Sequence, residues 1–203
     1  LRSPYLLGIA LWVSLLSVAA TFLYFQQANI VAAASDDPAV RTRIFASVDL
    51  AVGVLTLFVQ AFATGKLIAR FGIGAALCLL PFVFAAGFAV LAAAPMLAVV
   101  IAFQALQRTA NFAISNPARE VLFTVVAREE KYKAKQAIDT FFVRMGDVSS
   151  ALLVYVGASV LGFGVRMFAI VNIVLCGVWV FLAIMILRGY NEQRGATVLL
   201  TSH

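Results

Sequence analysis

The chain has 203 residues, 64% hydrophobic and 12% charged, with a mean hydropathy of +1.02 and a formal net charge of +6. A soluble domain carries about twice that charged fraction, so a water-soluble globular protein is excluded. The basic excess is read as membrane topology and not as nucleic-acid binding.

Six apolar runs reach the roughly 20 residues needed to cross a bilayer. They predict transmembrane helices at 4–28, 44–70, 73–94, 96–116, 135–161 and 165–187. The runs are too long and too uniformly apolar for the alternating strands of a barrel, so the fold class is all-α integral membrane.

The first helix carries Ser14, Ser17, Thr21 and Tyr24 within an arc of about 80° at helical spacing. Ala32, Ala33 and Ala34 follow it, but the run is too long for a signal peptide and its polar stripe argues against one. With Leu1 in place of an initiator methionine, the chain is expected to start within a longer protein. The second helix aligns Asp49, Gly53, Thr56, Gln60 and Thr64. A basic, glycine-bounded turn at 64–72 follows, holding Lys66 and Arg70. The third helix is almost purely apolar.

The fourth helix aligns Gln104, Arg108, Asn111 and Ser115, with Gln107 at the rim. The mixed-charge stretch 117–134 is expected as an amphipathic cytoplasmic loop at the headgroup level. The fifth helix aligns Thr140, Arg144 and Asp147, continuing to Ser150. The sixth is again apolar, and 189–203 reads as a disordered cytoplasmic tail.

Small polar residues also mediate helix packing in membranes, and for the first stripe that explanation is as good as a functional one. Arg108, Arg144 and Asp147 demand more. A charge at bilayer depth costs at least about 2.5–3.5 kcal/mol on insertion scales, so each must be paired, solvated or functional. Arg144 and Asp147, spaced i, i+3, can neutralise one another, whereas Arg108 has no acid on its own face. The candidate substrate contacts are therefore Gln60, Gln104, Arg108, Asn111, Thr140, Arg144 and Asp147. Asp49, Asp139, Lys66 and Arg70 are candidates for coupling or gating, with helix-end charge the plainer reading of the two acids.

Two pattern-level expectations follow. Polar, polar, apolar repeats across helices one to three and four to six. Arg43 precedes Asp49, and Lys133 precedes Asp139, by the same six residues, so an inverted three-plus-three bundle is the expected architecture. Numbered from the N-terminus, one side collects Arg2, Lys66, Arg70, Arg119, Arg128, Lys131, Lys133, Lys135, Arg188 and Arg194. The other collects Arg41, Arg43 and Arg166, which makes both termini cytoplasmic. Cys78 and Cys176 stand alone in apolar runs, and the sole histidine is His203. No metal centre, no cofactor and no histidine-based triad is expected. Walker loops, GxSxG elbows and HExxH motifs are absent, and no enzyme is indicated.

The runs Asn116-Pro117-Ala118-Arg119-Glu120, Lys131-Tyr132-Lys133-Ala134-Lys135, Ile138-Asp139-Thr140 and Arg144-Met145-Gly146-Asp147 resemble the C-terminal half of the ATP/ADP translocases of obligate intracellular bacteria and plastids. That resemblance implies a major-facilitator-like fold of twelve helices, of which this chain would supply the last six. It implies alternating-access exchange of nucleoside triphosphate for diphosphate, with Arg108 and Arg144 replacing phosphate hydration. It implies as partners a nucleotide, membrane lipid, and either an N-terminal six-helix half or a second copy. At the position after Gly146 the nucleotide exchangers are expected to carry Lys, and Asp147 stands there. An acid suits a proton-coupled facilitator for another solute, and a non-transporting anchor or sensor module is the third reading.

Overall fold

The computed structural model describes the backbone of residues 3–201 and the side chains of residues 3–195, so Arg2 and His203 lie outside the described residues. The described chain is helical almost throughout. Helix α1 is Pro4–Ala34, and α2 is Pro38–Val59, running on through a π turn at Gln60–Thr64 into α3, Gly65–Ala93. Helix α4 is Leu97–Ala110, followed by a second π turn at Asn111–Ser115 and by α5, Asn116–Leu122. Helix α6, Arg128–Ala137, passes through a third π turn at Ile138–Phe142 into α7, Val143–Ser159, and α8 is Val165–Thr201.

Local chemistry sets the joints. The Asp37 carboxylate accepts a hydrogen bond from the Ala39 amide at 2.8 Å and caps α2, while Pro38 occupies the first turn, where no amide donor is needed. Gly162, at φ +65°, turns the chain between α7 and α8.

Among the described residues, five stretches are long and apolar enough to cross a membrane: Pro4–Ala34, Pro38–Ala93, Leu97–Val125, Arg128–Ser159 and Val165–Gly195. The second has 56 residues. As one straight helix it would span about 84 Å, far beyond a hydrocarbon core of about 30 Å. It is broken at Gly72, where φ is 76° and ψ 175°, backbone open essentially to glycine alone.

Packing shows how the chain winds. Tyr5 lies against Gly189, Gly8 against Ile186 and Phe22 against Phe168, so α1 and α8 are antiparallel. Gly74 meets Leu187 and Phe84 meets Trp179, which makes α3 antiparallel to α8. Asp49 reaches Arg108 and Thr64 reaches Ala113, so α2 runs parallel to α4. Phe84 and Phe88 both meet Phe103, across a turn at 94–96 that returns α4 alongside α3. Since α2 follows α4 and α3 opposes it, the chain reverses at Gly72. Helices α1, α4, α3 and α8 form a four-helix core, with α2 laid on α4 and α7 laid on α1.

An aromatic cluster joins the four core helices. Trp12 and Trp179 have ring centroids 5.5 Å apart, and Phe84 lies 5.5 Å from Trp179 and 5.7 Å from Phe103. In lipid, where apolar burial gives little net drive, such close packing is what holds helices together. Glycines let it happen: a Cβ on Gly74 would sit 2.5 Å from Leu187 Cδ2.

The break expected between the helices at 44–70 and 73–94 falls at Gly72, with the chain helical up to Phe71. Two expectations are corrected. The loop expected at 117–134 is helical apart from a bend at Val126 and Ala127, since its polar residues face outward while Ala118, Leu122, Phe123 and Ala134 are buried. The disordered tail expected from Gly189 is helix to Thr201, with Gly189 and Tyr190 packed on α1 and in the core.

Candidate functional site

The polar residues gather into two charged centres, one between α2 and α4 and one between α1 and α7. At the first, the Arg108 guanidinium donates to the Asp49 carboxylate, with the two side chains 34% and 62% exposed. Arg108 thus finds on α2 the acid that its own helix lacks. The two charges offset one another, and their exposure leaves them free to exchange partners. Asn111, one turn along, keeps its amide oxygen buried without a protein partner.

Behind Arg108 the stripe turns inward. Gln104 donates to the Gln27 amide oxygen at 2.5 Å and accepts from Gln107 at 2.6 Å, and all three are buried. Gln104 is thus part of an α1–α4 amide chain and not exposed lining. Below it the first two π turns meet, where the Thr64 hydroxyl donates to the Ala113 carbonyl at 2.7 Å. Gln60 is exposed at the start of its π turn.

At the second centre the Ser17 hydroxyl donates to Asp147, whose other oxygen lies 3.6 Å from Arg144. Arg144 is 80% exposed and Asp147 38%. Gly146 makes this possible, because α7 passes so close that a Cβ there would lie 2.9 Å from the Ser14 carbonyl oxygen. Ser14 also donates to the Phe142 carbonyl at 3.1 Å, and Ser17 lies 3.2 Å from that of Val143. These carbonyls sit at the end of the third π turn, where widened pitch leaves backbone acceptors for side-chain donors.

The remaining candidates lie apart. Thr140 is exposed in the third π turn, and its neighbour Asp139 pairs with Arg119 at 3.2 Å. Lys135 pairs with Glu120 at 2.7 Å, so two ion pairs bind α5 to the α6 segment. Lys66 and Arg70 are exposed beside the Gly72 reversal, and the Arg70 guanidinium lies 5.8 Å over the Phe71 ring. Among the described residues, no three His, Cys, Asp or Glu side chains come together as a metal site.

Sequence reasoning missed Gln27 and the three π turns. Gln27 lies outside the first stripe, and π turns leave no composition signal. They matter because a stripe projected at constant pitch loses phase across a wide turn, which is why Thr64 and Ser115 are buried while Gln60 is exposed.

Helices of this length and apolarity define an integral membrane protein. A family model described as TLC ATP/ADP transporter matches residues 85–190, just over half of the chain. The chain belongs to that family. The match takes in Arg108, Arg144, Asp147 and the ion-paired α5–α6 segment, while Asp49 and Ser17 lie outside it. No curated protein and no solved structure gives a match.

Proposed function

We propose that the chain is the six-helix half of a secondary transporter that exchanges nucleoside triphosphate for diphosphate by alternating access. Counting the arms on either side of Gly72 separately makes six crossings of alternating direction, and the inverted three-plus-three repeat fits that winding. By the positive-inside rule, the end bearing Lys66, Arg70, Arg119, Arg128, Lys131, Lys133, Lys135, Arg188 and Arg194 is cytoplasmic, with both termini there. A six-helix half does not enclose a pathway. An N-terminal half or a second copy completes it over α2 and α7, the helices that keep their charges exposed.

The observation that carries the reading is the exposed Arg108–Asp49 pair of α4 and α2. An arginine held by a carboxylate at the mouth of a polar face is a phosphate ligand in waiting. A polyphosphate displaces the acid and takes a bidentate guanidinium contact. Arg144 offers a second contact, Gln60, Asn111 and Thr140 offer hydrogen bonds to the nucleoside, and Gln104 acts from behind by fixing α4. Lys66, Arg70, Asp139 and Asp49 serve coupling or gating.

Labelled ATP uptake into proteoliposomes holding the full-length protein, preloaded with ADP or left empty, tests this. Uptake is expected to require internal ADP and to vanish in Arg108→Ala. ATP uptake that is indifferent to Arg108 would refute it. Asp147 favours one alternative, a proton-coupled facilitator for another solute. In that case Asp147→Asn would abolish a pH-dependent uptake, whereas in the exchanger the same variant retains exchange.

A further inference from the structure

We propose that the cavity at the foot of α3 and α8 seats the headgroup of an anionic phospholipid. The cavity has a volume of about 590 Å³, and Phe71, Gly72, Ile73, Leu187, Asn191 and Arg194 are among its walls. It lies at the end of the bundle where the chain reverses at Gly72 and where Tyr5 meets Gly189. A headgroup meets the protein at such an end.

Its chemistry is two-sided. Arg194 and Asn191 are exposed at the rim. Arg70 does not line the cavity, but its guanidinium lies 5.8 Å over the ring of Phe71, which does. Lys66 lies one turn before Arg70 on the same helix. No Asp or Glu is among the lining residues, and below the rim the walls are apolar, formed by Ile68, Ile73 and Leu187. A cationic rim above an apolar wall matches a phosphodiester with an acyl chain beneath it. A neighbouring cavity of about 420 Å³ between α1 and α8 has Glu192 as well as Arg188 in its wall and lacks this uniform charge.

Position selects lipid over a soluble phosphate. The cavity opens between α3 and α8, whereas both charged centres lie at the outer helices α2 and α7. A free phosphate or nucleotide would leave the apolar walls uncovered, and an acyl chain covers them. Each arginine is expected to contribute roughly five-fold to binding.

The test is native mass spectrometry of the full-length protein in neutral detergent, titrated with phosphatidylglycerol, phosphatidylcholine or inorganic phosphate. Phosphatidylglycerol adducts are expected to form preferentially, and to weaken by roughly 25-fold in R70A/R194A. R70K/R194K keeps the charge and is expected to keep most of the binding. R41A/R43A, at the opposite end, is expected to bind as the parent does. Equal binding of phosphatidylcholine, undiminished binding in R70A/R194A, or equal loss in R41A/R43A would each overturn the proposal. Displacement of the lipid by millimolar phosphate would do so too, by making the site one for a soluble anion. Transport is not the readout, so failure here is separable from failure of the exchange reading.

Discussion

Gly146→Ala adds one methyl group at the closest crossing of α1 and α7. The new Cβ would stand 2.9 Å from the Ser14 carbonyl oxygen and 2.9 Å from Ser17 Cβ, where ordinary contact starts at 3.4 Å. A helix-backbone carbonyl cannot rotate away, so the two helices must separate by about half an ångström, and overpacking of this kind costs about 1–3 kcal/mol. Alanine regains about 1 kcal/mol over glycine in helix propensity, which leaves a net loss of about 1 kcal/mol. Gly53 in α2 is the control, because a Cβ there meets nothing within 4 Å, and Gly53→Ala should gain up to about 1 kcal/mol. The difference between the variants, about 2 kcal/mol, isolates the crossing. Apparent midpoints of thermal unfolding, taken on the full-length protein in detergent at one scan rate, measure it. Equal shifts for Gly146→Ala and Gly53→Ala would refute the reasoning, because the helices would then not be in contact at this point.

Gly72→Ala places a side chain in a conformation at φ 76° and ψ 175°, but the added Cβ meets nothing within 4 Å. Its cost is backbone strain alone, about 1–3 kcal/mol, read as a lowered unfolding midpoint that Gly72→Asn does not fully restore. Gln104→Leu leaves Gln27 and Gln107 buried without their shared partner, with an expected loss of about 1–2 kcal/mol. Replacing all three glutamines with leucine should cost less than that single change, and thermal unfolding of both variants decides it.

Much of this protein was readable before any coordinates. Apolar length alone placed six runs that overrun their helical segments by two residues at most. The cost of a charge at bilayer depth marked Arg108, Arg144 and Asp147 as needing partners, which they have in Asp49 and in each other. The distinctive Asn116–Lys135 stretch carried the family resemblance, and the match at residues 85–190 bears it out. What hydropathy misjudged were the ends. Helices run past their apolar limits wherever polar residues can face outward, as in the α5–α6 segment with its Arg119–Asp139 and Glu120–Lys135 pairs.

The sequence by itself determined that the chain crosses a membrane as helices, because no other structure satisfies the backbone of such long apolar runs in lipid. It also determined which helices carry a polar face. Only the tertiary structure decided which polar residues stay exposed and which are internal ties. Partner choice depends on distances between helices far apart in sequence, such as Asp49 to Arg108 and Gln27 to Gln104. It depends too on π turns that shift a stripe out of phase, burying Thr64 while Gln60 stays exposed.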